Sequence, residues 1–237
     1  MIQLIGQYWQ NYLYSDGYRL SGLVITLWLL VVSVGLGFLF AVPLAIARAS
    51  RNRFICGPVW LYTYVFRGTP LYVQLLLCYT GIYSLHYVHD HAWLNTFFRD
   101  AMNCTLLAFT LNECAYATEI FAGAIKTMPA GEIEAGLAYG MTRFTLYRRV
   151  ILPSALRRAL PSYSNEVILM LHATTLAFTA TVPDILKVTR DVNAATYMSF
   201  QAYGIAALLY AVIVFALIWA FRRLEARWLA FLKPQGH

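Results

Sequence analysis

Five apolar runs separated by short polar stretches set the pattern of this chain, covering about residues 20–47, 70–85, 101–125, 160–182 and 203–221. Crossing the ~30 Å hydrocarbon layer of a bilayer takes ~20 mostly apolar helical residues, so the pattern predicts five transmembrane helices. The first run is long enough to tilt, and its Gly35 and Gly37 offer a surface for close helix packing. Residues 1–19, with Tyr8, Trp9, Tyr12 and Tyr14, read as an interfacial lead-in. An apolar segment from Pro58 precedes the second run and is broken at Arg67-Gly68-Thr69-Pro70. Proline lacks a backbone donor, so Pro70 ends one helix and can open the next.

The longest polar interruption is residues 126–158. From Glu132 to Tyr147 its spacing is helical, with Ile133, Leu137, Met141 and Phe144 on one face. Gly140 interrupts that helix, and Pro153 ends the segment. A short amphipathic helix between membrane spans lies on the surface or docks into a partner's groove. A solvated loop is the other reading of the same periodicity.

Composition removes the soluble classes. Of the 237 residues 60% are hydrophobic and only 12% charged, whereas soluble domains carry roughly a quarter charged residues. The 17 tyrosines and 6 tryptophans suit a protein with two water–lipid interfaces. A net charge of +7 raises nucleic acid as a partner, but the basic residues sit between apolar runs and form no single face. They read instead as orientation signals. With the amino terminus outside, the inside segments 48–67, 126–158 and 222–233 hold 14 of the 18 lysines and arginines. That bias predicts an external amino terminus, a cytoplasmic carboxyl terminus and a cytoplasmic 126–158 segment. Cys56, Cys78, Cys104 and Cys114 lie in or beside apolar runs and read as small hydrophobes. The first apolar run is too long, and lacks the basic lead, for a cleavable signal peptide. The expectation is a single membrane domain over residues 1–237.

Charges inside hydrocarbon are expensive and ask for an explanation. Glu119 in the third run and Glu166 in the fourth are each six residues from the cytoplasmic ends of their spans, or roughly 9 Å deep. Two helices can thus present two acids at one level, with Asn112 on the face of Glu119. A cavity so lined favours a cationic or amine-bearing solute; the bland alternative is pairing with Arg67 or hydrogen bonding between helices. Glu113 is about 120° round its helix from Glu119 and points to a neighbouring helix or an upper vestibule. At the second polar break, Arg67 can meet a substrate carboxylate and Thr69 can offer a hydroxyl, or Arg67 can reach lipid phosphates. His86, His89, Asp90 and His91 read as a polar outer loop, with no metal site assigned. No phosphate-binding glycine-rich loop ending in Gly-Lys exists in the sequence, so nucleotide binding would fall to a partner.

Glu134-Ala135-Gly136, three residues, Gly140, nine residues and then Val150-x-Leu152-Pro153 resembles the EAA loop of ABC-importer permeases. That pattern has alanine where Gly136 stands and isoleucine where Val150 stands. Phe66-Arg67-Gly68-Thr69-Pro70-Leu71 and Asn165-Glu166-Val167-Ile168-Leu169 resemble the polar amino acid branch of the family. The resemblance implies an all-α membrane protein of the type I permease class, with residues 126–158 carrying the cytoplasmic coupling helix. It implies that Glu134, Ala135, Gly136, Gly140, Leu152 and Pro153 engage an ATP-binding subunit. It also implies a substrate site that draws on Glu119 and Glu166, beside which Asn112, Arg67 and Thr69 are candidates. The expected partners are a second homologous permease, two ATP-binding subunits that hold ATP-Mg, a periplasmic binding protein and the bacterial inner membrane. The expected cargo is basic or polar amino acids (histidine, lysine, arginine, ornithine), with no cofactor and no catalytic residue in this chain. The outer charges Asp184, Lys187, Arg190 and Asp191 then become either a docking edge for the binding protein or a solvated surface. An ion-driven secondary carrier for cationic solutes and a membrane enzyme using the outer histidines are the competing classes. The first lacks an inverted repeat, and the second lacks a spaced catalytic set.

Overall fold

The computed structural model describes residues 2–229 and is helical almost throughout, with no strand among them. An amphipathic α1 (Ile2–Leu13) leads into the long α2 (Leu23–Arg48). Then come α3 (Arg53–Gly68), α4 (Leu71–Leu76, running on as a π-helical turn Leu77–Ile82), α5 (His86–Asp90) and α6 (Ala92–Arg99). The central α7 (Ala101–Lys126) is followed by the short α8 (Ala130–Ala138) and α9 (Arg143–Leu146, with a π-helical turn Tyr147–Ile151). The chain closes with α10 (Leu152–Ala173, tightening to 3-10 over Thr174–Ala180), α11 (Ile185–Thr196) and α12 (Ser199–Trp228).

Among the described residues, two helices are long and apolar enough to cross a bilayer unaided, Leu23–Arg48 and Ser199–Trp228. The other three expected runs are shaped differently. The second, drawn over 70–85, is the helical stretch Leu71–Ile82, about 18 Å long at 1.5 Å per residue. Arg67 to Pro70 does divide it from α3, with Pro70 capping α4. The third, α7, has the length of α2 but carries Asn112, Glu113 and Glu119. The fourth starts at Leu152, inside what was read as the polar segment. Pro153 therefore does not end the segment: it lies where the π-helical turn passes into α10, and the widened turn accommodates the N–H that proline lacks. Residues 230–233, the end of the last inside segment, lie outside the described residues.

α2 and α7 form the most extensive helix pair, and α10 packs against both. Small residues along α7 (Ala108, Ala115, Ala117, Ala122) are fully or almost fully buried and let the backbones approach. Between lipid-bathed helices such close contact and polar bonds replace the hydrophobic effect as the source of association. Gly37 lies at the contact, where an added Cβ would fall 2.6 Å from Cγ of Glu113, while Gly35 faces open space. Only one of the two expected packing glycines therefore serves that role within this chain. Phe38, Phe121 and Tyr163 interlock α2, α7 and α10, with ring centroids 5.4 and 5.1 Å from Phe121.

The mixed-charge stretch near Asp184 is a helix, not a loop. Asp184 is buried and caps α11 by accepting from the N–H groups of Leu186 and Lys187, while the hydroxyl of Tyr210 reaches it from α12. The neighbouring backbone is tied to α2 through Gly22 N–H to Pro183 O and Ile185 N–H to Thr26 Oγ1. Lys187 pairs with Asp191 at the exposed side of the same helix.

Candidate functional site

Two features concentrate the polar chemistry: a cleft between α3, α7 and α10, and the short-helix segment before α10. The cleft has a volume of about 590 Å³ and is lined by Arg67, Tyr116, Glu119, Ser162, Asn165 and Glu166 among others. Glu119 and Glu166 thus line one cavity, although α10 starts eight residues before Leu160, the end of the span from which the depth of Glu166 follows in the sequence. Their environments differ. One oxygen of Glu119 accepts from Arg48 Nε at 2.6 Å and from Thr63 Oγ1 at 2.6 Å, so α2 and α3 both hold it. Its ion-pair partner is Arg48, 71 residues away, and not Arg67. Arg48 also contacts Cys56 through Nη1.

Glu166 makes no hydrogen bond or ion pair among the described residues. Arg67 is within electrostatic reach of it, with its guanidinium 5.2 Å from the centre of the Tyr116 ring. The cleft therefore offers an uncommitted carboxylate and an exposed guanidinium, the pair of opposite charges that a zwitterion with a cationic side chain can use.

Asn112 and Thr69 are placed elsewhere. Asn112 is buried and donates to Phe66 O and Gln74 Oε1. Gln74 in turn donates to Phe66 O, Thr69 O and Thr69 Oγ1 at 2.7, 3.0 and 2.8 Å. The two residues brace the chain break before Pro70, and neither lies on the cleft wall. The break frees backbone carbonyls inside apolar surroundings, and these amides satisfy them. Gln74 was not singled out from sequence; a polar residue in a short apolar run was its only signal.

In the segment before α10, α8 ends in a Schellman turn. Gly140 has φ +73°, its N–H donates to Leu137 O, and Met141 N–H reaches back to Gly136 O. The helical stretch from Glu132 to Tyr147 is thus broken at Gly140, as expected, into two helices, because the left-handed residue turns the chain. That splits the expected apolar face: Ile133 and Met141 are half-buried, while Leu137 (52% exposed) and Phe144 (74%) are free. Gly136 is buried, and a Cβ there would meet Leu146 Cδ1 of α9. An alanine here, as in the EAA pattern, would require the Leu146 side chain to shift. Glu134 and Ala135 are exposed, and Leu152 and Pro153 form the start of α10. A link absent from the sequence reading joins these parts. Glu132 on α8 takes Arg158 Nη2 at 2.6 Å and Ser154 Oγ at 2.8 Å, both from α10. Among the described residues no group of histidines, cysteines and acids could hold a metal ion.

Residues 33–229 match the family described as "Binding-protein-dependent transport system inner membrane component". The histidine/lysine/arginine/ornithine transport system permease protein HisM of Escherichia coli K12 is 61% identical over 236 residues, covering 100% of this chain and 99% of that one. The octopine transport system permease protein OccM of Rhizobium radiobacter is 40% identical, covering 87% and 84%. Among solved structures, an amino acid ABC transporter crystallised with histidines superposes with a TM-score of 0.80 at 28% identity, over 96% of this chain and 98% of that one. The MetNI methionine ABC transporter in inward-facing form (TM-score 0.71, 17% identity, 87% and 94% covered) shares the fold.

The chain belongs to the family of inner-membrane components of binding-protein-dependent transport systems. It is a permease subunit of an ABC importer, a transport component that works with separate ATPase subunits and a substrate-binding protein. This membership removes the secondary carrier and the membrane enzyme.

Proposed function

We propose that this permease forms the translocation path for basic and polar amino acids, of the group histidine, lysine, arginine and ornithine. The observation that carries the reading is the unpaired carboxylate of Glu166, facing the cleft that also holds Arg67 and Glu119. The names of the 61%-identical relatives support the same cargo. Arg67 receives the α-carboxylate and Glu166 the cationic group, while Glu119, neutralised by Arg48, holds the wall of the cleft in place. Asn112 and Thr69 keep the α3–α4 break open and act on the substrate only through Arg67.

The wider assembly follows the same reading. Five membrane passages run through α2, α4, α7, α10 and α12 in one permease domain, with the amino terminus periplasmic and the carboxyl terminus cytoplasmic, as the lysine and arginine bias requires. The short passage at α4 is made up by the adjoining α3 and by the partner. A second, homologous permease completes the path, and two ATP-binding subunits hold ATP-Mg, this chain needing no cofactor. The exposed Leu137, Tyr139 and Phe144 with Glu134 and Ala135 form the docking face for one ATPase, a helix-in-groove contact.

The test is uptake of labelled arginine, histidine and glutamine by proteoliposomes holding the whole complex and its binding protein. Glu166→Gln is expected to lose arginine selectively with ATPase activity retained. Normal arginine uptake by that variant sinks the assignment of the site.

A further inference from the structure

Glu113 has no exposed surface, and neither of its carboxylate oxygens has a hydrogen-bond partner. An ionisable side chain left so in a membrane protein costs several kcal/mol unless some state of the molecule gives it a partner. Its position names the partner. On α7 it stands three and seven residues before Tyr116 and Ile120, both on the cleft wall, and so shares their face of the helix. It lies about 4.5 Å beyond Tyr116 along the axis, away from the α8 end. Tyr163 and Glu166 of α10 are within electrostatic reach of it. From the third side Gly37 of α2 presses on its side chain, a contact that any Cβ would forbid. The carboxylate therefore lies one turn beyond the cleft wall on the same face of α7, within electrostatic reach of Glu166, and is covered by α2 at Gly37, where a Cβ would fall 2.6 Å from its Cγ.

We propose that Glu113 is a second cation-binding station on the translocation path, taking the ammonium or guanidinium of the cargo in the conformation where α2 no longer covers it. This rests on the reading of the cleft given above. Handing the cation from Glu113 to Glu166 keeps it paired while it crosses a region of low dielectric, where an unpaired charge meets a high barrier.

The test uses the whole complex in proteoliposomes at pH 8 with labelled arginine, which is cationic, and labelled histidine, whose side chain is mostly neutral there. Glu113→Gln is expected to lower arginine transport about tenfold or more, the effect of losing one charge-assisted contact. Histidine uptake should stay within about twofold of wild type, since no side-chain cation is then to be matched. Wild-type transport of both substrates, or an equal loss of both in an assembled complex, overturns the proposal and leaves Glu113 a packing residue. Should Glu113→Gln fail to assemble, Glu113→Asp, which withdraws the charge by one methylene, is judged by the same selectivity. Glu166→Gln runs alongside: if it too is indifferent, the cleft reading fails, whereas a selective Glu166→Gln with an indifferent Glu113→Gln sinks this inference alone.

Discussion

Arg158 donates through Nη2 to Oε1 of Glu132 at 2.6 Å, and Ser154 closes the triangle by donating to Oε2 of the same carboxylate. Glu132 belongs to α8, whose exposed face is the proposed ATPase contact, and Ser154 and Arg158 to the first turns of α10. Asn165 and Glu166 on the cleft wall stand seven and eight residues beyond Arg158, about 10–12 Å along α10, with Pro161 inside the helix between them. The strut is therefore a candidate route by which movement of α8 reaches the cleft wall.

Glu132→Gln is expected to leave assembly and ATPase activity nearly intact but to lower the amino acid moved per ATP hydrolysed. A partly exposed pair contributes about 1 kcal/mol or less to stability, so a fall in that ratio reports coupling rather than unfolding. The exchange Glu132→Arg with Arg158→Glu should recover part of the ratio. An unchanged ratio in Glu132→Gln would remove the strut from the mechanism.

Arg48 and Glu119 form the other cross-helix ion pair, with side chains only 17% and 20% exposed. Arg48→Gln strands the carboxylate and should destabilise the protein by about 3 kcal/mol, as breaking a largely buried pair does. Arg48→Gln with Glu119→Gln together should be more stable than Arg48→Gln alone. Thermal denaturation in detergent measures both, and equal melting temperatures for the single and double variants would show that the pair does not matter to the fold.

Gly140 sits in the left-handed region at the end of α8. Any side chain there meets the following carbonyl oxygen, a strain of about 1–2 kcal/mol. Gly140→Ala is expected to loosen the turn between α8 and α9 and to weaken binding of the ATPase subunit, with little effect elsewhere. Hydrogen exchange over residues 130–146 and co-purification of the complex test this; unchanged protection there would contradict it.

Asp184 lies just outside the proposed fourth span, and burial pushes its carboxyl up to about 7 against the N–H donors of Lys187 and Leu186. A carboxyl whose folded pKa is raised stabilises most fully below its ordinary value near 3.8, and that contribution is lost as pH rises through the folded value. Stability of the detergent-solubilised complex should therefore decline between about pH 4 and 7. Asp184→Asn keeps a capping side chain and should flatten that slope; identical slopes in the two proteins would assign the decline to other groups.

What could be read from the chain alone was what local chemistry dictates. Apolar run length and sparse charge pointed to a membrane, and the lysine and arginine bias to an orientation. Pro70 and Gly140 marked two chain breaks, because their backbone restrictions act within a few residues of themselves. The spaced residues from Glu134 to Pro153 pointed to the permease family to which the chain belongs. Helix rise along the apolar runs set Glu119 and Glu166 at one level, and they line one cavity although α10 starts earlier, at Leu152.

The rest needed the helices to be set against one another. Periodicity shows which residues share a face, but not which face of another helix they meet. Arg48, not Arg67, neutralises Glu119; Gln74 claims Asn112 and Thr69; Glu132 reaches Arg158; Gly37 seals Glu113. Each pairing spans 5 to 76 residues and hangs on the register between packed helices or across a broken one. The sequence by itself determined the kind of protein, its breaks and the acids it carries inward. Tertiary structure alone decided which acids are spent on holding helices together and which stay free for a ligand, because a charge in hydrocarbon takes whatever partner the packing brings within bonding distance.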